Sequence, residues 1–358
     1  MNARQRFNAC MRFEKVDRLP FFDFAYWTET LTRWYEEGLP RDDYPARYFG
    51  LDRFWEGVPV NLNMVPGFEH VVLEEDAETV TYRSSDGITA RHRKTGSSIP
   101  QFLDYPVKTL DDFRRLVAER YHASSRTRLP QYFDDYARSV RDRDYPLGCP
   151  TGGFFGQIRN WMGLENACIA FAQQPEFIHE MCDFIADFTI EVIDPVLDAV
   201  DVDYCSFWED MAYNSGPLIS PAMFREFLLP RYKRVTECIR SHGVEVITVD
   251  CDGDHGLLTP LWLEGGVNLF YPLEIRAGID PVAMRREYGE RALLMGGVDK
   301  FALAAGREAI DRVIDEVVAP LAPQLGFVPM PDHRVPPNVA LDDYIYYLKR
   351  CREVTTFA

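Results

Sequence analysis

The residues of this chain that could do chemistry are mostly acids, and each group stands directly after a short apolar run. Glu209 and Asp210 follow 203–208, Asp250, Asp252 and Asp254 follow 244–249, Glu274 follows Pro272 and Leu273, Asp299 follows Val298, and Asp332 and His333 follow Pro331. Adjacent carboxylates behind a buried run repel one another unless a cation, a proton or a substrate balances them, so Glu209 and Asp210 read as functional. Alternation along extended chain turns Asp250 and Asp252 to one side and Cys251 to the other, which makes Cys251 structural. A calcium loop is not expected here, because the EF-hand spacing with its distal Glu is absent. Asp254 and Asp299 read more simply as caps for the helices after them. His333 stands apart from the other six histidines. It lies in a stretch stiffened by Pro331, Pro336 and Pro337, which would hold its ring in place. His70, His92, His122, His179 and His242 read as solvated, and His255 falls near a helix start.

Acids placed after strands converge only if the strands do. Strand-like runs at 146–150, 203–208, 244–249, 267–271, 292–295 and 327–330 alternate with helical stretches, which implies parallel strands joined by crossover helices. An apolar run at 19–24 reads as the first strand, preceded by a helix over 3–13. No GxGxxG or GxxxxGK[ST] loop follows an early strand, so a (β/α)8 TIM barrel is preferred to an open doubly wound sheet. In such a barrel the strand C-terminal ends build the active site. The whole chain, 1–358, is expected to form a single domain, with an N-terminal helical extension and an inserted β-hairpin over about 70–96 that turns at Asp86-Gly87. Tyr26, Trp27, Trp34, Tyr35, Tyr44, Tyr48 and Phe49 form an aromatic-dense segment, read as packing more than as a lid. The formal net charge of −17 repels phosphate backbones and argues against nucleic acid as a partner. No apolar run reaches membrane-spanning or signal-peptide length, and the eight cysteines are scattered without a CxxC pair. A cytoplasmic protein is expected.

Beyond these features the chain resembles the uroporphyrinogen decarboxylase superfamily over nearly its whole length. The resemblance rests on Asn2-Ala3-Arg4-Gln5-Arg6-Phe7, Val16-Asp17-Arg18-Leu19-Pro20, Gly216-Pro217-Leu218-Ile219-Ser220-Pro221, Phe227-Leu228-Leu229-Pro230, Asp252-Gly253-Asp254, Glu264-Gly265-Gly266-Val267-Asn268 and Tyr271-Pro272-Leu273-Glu274. It implies the barrel fold and either decarboxylation or corrinoid-linked methyl transfer. True decarboxylases carry an RQAGR-type segment after the first strand, where this chain reads Phe24-Ala25-Tyr26-Trp27-Thr28-Glu29, and an FSD-type aspartate where it reads Val60-Asn61-Leu62-Asn63. A polycarboxylated tetrapyrrole would also be repelled by an acidic mouth. Zinc methyltransferases of the superfamily use a His-x-Cys pair and a late Cys, and the corresponding positions here are Asp250, Asp252 and His333. That replaces soft sulfur ligands with hard ones.

The resemblance therefore implies a corrinoid-dependent methyltransferase or demethylase acting on a small methyl donor or acceptor. The corrinoid would be carried by a separate partner protein that docks at the mouth. Glu209, Asp210, Asp252 and His333 are the expected catalytic set. Tyr26, Trp27, Trp161, Tyr213, Asp250 and Glu274 would contact substrate. Glu209, Asp250, Asp252 and His333 could hold a divalent metal such as zinc as a Lewis acid, or could act without metal by proton donation. A homodimer is among the assemblies the resemblance allows. The competing readings are a tetrapyrrole carboxy-lyase of altered specificity, a metal-dependent lyase, and a non-catalytic binding barrel.

Overall fold

Seven short apolar strands pair in chain order to make one parallel sheet, in a computed structural model that describes residues 1–95, 99–124 and 128–357. They are β1 (Glu56–Gly57), β2 (Leu147–Gly152), β3 (Tyr204–Trp208), β4 (Val246–Asp250), β5 (Leu269–Leu273), β6 (Leu293–Val298) and β7 (Phe327–Pro331). Every neighbouring pair is parallel, so each connection must be a crossover. All positions of β5, β6 and β7 are buried, as strands covered on both faces require.

The expected first strand, 19–24, joins no ladder. Pro20 has no N–H to give, and the Asp52 carboxylate accepts from the N–H of Phe21 while the Asp52 N–H donates to the Phe21 carbonyl. The segment nevertheless lies between the two sheet edges. Phe22 stacks on Phe54 just before β1, with centroids 3.8 Å apart, and Tyr26 forms a parallel bridge to Val335 just after β7. It fills the eighth position of the barrel as extended chain. β1, only two residues long, carries no alternation that a sequence pattern could reveal.

The hairpin expected over 70–96 is part of a larger element. Val71–Glu75, Thr79–Arg83, Thr89–Arg93 and Gln101–Asp104 form a separate four-stranded antiparallel sheet. Gly96, at the far end of the expected hairpin, lies outside the described residues.

Four of the helices brace the barrel and its site: α1 (Ala3–Met11), α2 (Phe155–Met162), α3 (Pro175–Ala199) and α4 (Leu229–Ser241). Asn2 and Gln5 make a capping box that starts α1. The helix then closes the N-terminal end of the barrel, where Arg4 and Asn8 donate to one oxygen of Asp203 and Arg143 pairs with the other. Burial works against the Asp203 charge, but these hydrogen bonds hold its carboxyl below the usual range. On α3, Phe177, Met181, Ile185, Phe188, Val192 and Val196 recur at three- and four-residue steps and face the barrel. Among the described residues no helix is long and apolar enough to cross a membrane.

Candidate active site at the barrel mouth

The C-terminal ends of β3 and β4 bring three carboxylates into one cluster. Asp250 is the last residue of β4, in register with Trp208 of β3 on one side and Tyr271 of β5 on the other. The Glu209 N–H donates to the Asp250 carbonyl and carries the β3 chain one residue further, which delivers Asp210 beside it. Asp252 comes two residues after Asp250, on the same side of the extended chain. One carboxylate oxygen from each of Asp210, Asp250 and Asp252 lies within 4.8 Å of the others. From the end of β7, His333 brings Nε2 to 3.6 Å from Asp252 Oδ2, and its ring stacks on Phe24 at 4.8 Å.

Electrostatics follow from this crowding. Burial, then the neighbouring Asp210 and Asp252, push the Asp250 carboxyl well above the ordinary carboxylate range. Asp210 is also raised, by burial and then by Asp252, against the opposing pull of Arg159. Its backbone is left-handed, at φ 45°, a conformation that aspartate tolerates better than most residues. Arg159 on α2 holds Asp210 there by binding both its carbonyl, at 2.9 Å, and its carboxylate, at 3.4 Å.

The turn bearing Asp252 is built on Gly253, at φ 84°. A Cβ there would lie 2.7 Å from the Ala212 carbonyl carbon, so only glycine fits. Glu274 accepts from the Gly253 N–H and pairs with Lys300 at 2.8 Å. It therefore braces the acidic turn and is not among the residues lining the cavity above it. Asp332 accepts from the N–H groups of Ile275 and Lys300. Its burial pushes its carboxyl up to about 6, against Lys300.

A cavity of about 390 Å³ opens over the cluster, lined by Asp210, Asp250, Asp252 and His333 with Phe24, Trp27, Trp208 and Arg334. Ile99 and Pro100, which lead into the last strand of the inserted sheet, complete its rim. Of the expected pocket aromatics, only Trp27 lines this space, under the Arg334 guanidinium. Tyr26 is turned away, its hydroxyl donating to Asp23 and its ring packed on Trp34 and Tyr344. Trp161 is 1% exposed and donates to the Tyr121 hydroxyl, while Tyr213 lies 63% exposed in a two-residue strand, Ala212–Tyr213, that follows β3.

Glu209 is the main departure from expectation. Its carboxylate is fully buried on the opposite side of the chain from Asp210, accepting from the N–H groups of Phe154 and Gly156 at the start of α2 and from the Tyr232 hydroxyl. It ties α2 and α4 to the sheet and is not with Asp250 and Asp252. Asp299 caps the helix Lys300–Ala304, as expected, while Asp254 accepts from the Gly256 N–H within its own turn. The sequence reading missed Phe24, Trp208, Arg159, Arg334, Ile99 and Pro100. Strand parity could have found Trp208, since it is two residues before Asp210 and so shares its side.

The donor set at the mouth is three carboxylates and an imidazole. Such ligands suit a hard or borderline divalent cation and not the thiol-activating zinc of a Cys-rich site. Cys251 is 1% exposed and accepts from the Met211 N–H behind the strand.

A family model described as uroporphyrinogen decarboxylase (URO-D) matches residues 89–354. No curated protein matches the chain. Among solved structures, a methyltransferase from Methanosarcina mazei shares the fold at a TM-score of 0.63 and 15% identity, over 99% of this chain and 98% of that one.

Proposed function

This chain belongs to the uroporphyrinogen decarboxylase family, and from that premise we propose that it is a methyltransferase that moves a methyl group between a small donor and a corrinoid held by a partner protein. The observation that carries this reading is the cluster of Asp210, Asp250 and Asp252 with His333 beside it. A mouth of that charge disfavours a tetrapyrrole bearing several carboxylates and favours a cation or a neutral donor. The fold shared with a methyltransferase is consistent with this choice.

A cavity of about 390 Å³ suits a small molecule and is too small for a corrinoid ring, which must then be presented from outside. Asp210, Asp250 and Asp252 would hold a divalent cation, with His333 as neighbour. Bound there, the cation supplies Lewis-acid polarisation of the donor heteroatom. Phe24, Trp27 and Trp208 exclude water around the methyl group. His333, kept in place by Phe24 and Asp252, gives its proton to the heteroatom as the methyl departs, so the donor leaves as the neutral alcohol or amine. Arg159 and Glu274 act at one remove, fixing Asp210 and the Asp252 turn.

The test is methylation of free, reduced corrinoid by a panel of small O-methyl and N-methyl donors, followed through the corrinoid's visible spectrum. Transfer that drops by roughly 100-fold or more in His333→Ala supports the reading. Release of carbon dioxide from a tetrapyrrole, or transfer indifferent to His333→Ala, would overturn it.

A further inference from the structure

On the outer face of the barrel, α3 and α4 are joined by a seam of ion pairs. Asp183 pairs with Arg231 at 2.6 Å, and Asp187 pairs with Arg234. One turn further along α4 the seam changes character. Asp194 and Asp198, four residues apart on α3, there face Cys238 and His242, four residues apart at the end of α4. Residues spaced by four lie on one helix face, so each helix offers a pair to the other.

The geometry within this group is directional. His242 Nε2 is 2.9 Å from Asp194 Oδ1, and Cys238 Sγ is 3.5 Å from the same oxygen. One ligand atom from each of Asp194, Cys238 and His242 lies within 4.8 Å of the others. Ligand atoms about 3.5 Å apart are what tetrahedral zinc requires at its usual bond lengths. The other ring nitrogen, His242 Nδ1, is 3.3 Å from Asp198 Oδ1. A carboxylate behind a histidine in this way fixes the tautomer and turns Nε2 towards a metal.

We propose that Asp194, Cys238 and His242 form a peripheral site for zinc or a similar borderline divalent ion, with Asp198 orienting the imidazole and a fourth position left to water. Cys–His–Asp donors select such an ion over magnesium or calcium. Binding releases the thiol proton to solvent and leaves the Nδ1 proton on His242, shared with Asp198. The site is independent of the methyl-transfer reading, since it shares no residue with the mouth.

Cobalt(II) separates the two sites, because only a cysteine ligand produces a thiolate-to-metal charge-transfer band. Titration of the full chain with cobalt(II) is expected to raise that band to one equivalent, and zinc to abolish it. Cys238→Ser should lose the band, and His242→Gln should weaken binding by more than the roughly 10–100-fold that accompanies loss of a group behind a ligand. Asp252→Asn should leave the band intact. Circular dichroism on all three variants establishes that they fold. A native protein without the band, or a band that survives Cys238→Ser, would overturn the proposal.

Discussion

Burial makes Asp250 costly to the free protein and useful to a ligand. Its carboxyl is held well above the ordinary range by desolvation and by Asp210 and Asp252, so the charged form is disfavoured in the folded state and destabilises it at neutral pH. Asp250→Asn removes that charge at nearly constant shape. The metal-free variant is expected to be more stable than the native chain by about 0.5–2 kcal/mol, while losing divalent-cation binding at the mouth. Thermal unfolding in chelator, paired with a cation titration, checks both halves. A less stable variant would mean that the Asp250 charge is structurally satisfied. Glu209 shows why this logic is local: it is equally acidic and more deeply buried, yet two backbone N–H groups and Tyr232 occupy it. Parity decides between them, because Trp208 and Asp210 face the mouth and Glu209 faces the helices. The alternation that separates Asp250 and Asp252 from Cys251 applies equally here, so the position of Glu209 was legible. Its partners were not, since Phe154, Gly156 and Tyr232 are distant in sequence.

Among the elements, the Gly253 turn carries the most function per residue. It sets Asp252 against both His333 and the other two aspartates, and it leans on Glu274, Lys300 and the Ala212 backbone. Gly253→Ala combines a strained positive φ with a clash at 2.7 Å. Strain alone costs about 1–3 kcal/mol. Gly306 is a suitable comparison, at φ 92° with nothing within 4 Å of an added Cβ. Both alanine variants should lower the melting temperature, but only Gly253→Ala should weaken cation binding at the mouth, by about tenfold or more. Equal affinities in the two variants would show that Asp252 is not positioned by this turn. The inserted sheet shows the limit of local reading. Two of its strands and their Asp-Gly turn carry clear signals, but Gln101–Asp104 is exposed at every position and has no buried face to mark it.

Across the whole molecule, opposing groups of ionisable residues set the pH dependence of stability. Burial raises Asp23 to about 7 and Asp332 to about 6, and also raises Asp210 and Asp250. For these acids the folded state binds more protons than the unfolded chain, so stability falls as pH rises through that window. Burial lowers His255 to about 4, and the hydrogen bonds on Asp203 hold it below its ordinary value. Those two groups lose stability as pH falls, His255 from about 6.5 downward and Asp203 from about 3.9 downward. Between pH 4 and pH 8 the four raised acids outweigh the single histidine, so metal-free protein should melt at a higher temperature at pH 6 than at pH 8, with acid destabilisation setting in only below about pH 4. A monotonic rise in melting temperature from pH 6 to pH 8 would contradict this balance. The barrel itself was legible because six of its strands are apolar runs separated by helical ones. The eighth position was misread because Asp52, 31 residues further along the chain, claims the backbone of Phe21.

The most direct test is the stoichiometry of divalent-cation binding in a Cys238→Ser background, which silences the peripheral site, with and without Asp252→Asn. One tightly bound equivalent in Cys238→Ser, lost when Asp252→Asn is added, is the expected result. A Cys238→Ser protein that binds no divalent cation, or a double variant that still binds one, would contradict a cation centre at the barrel mouth.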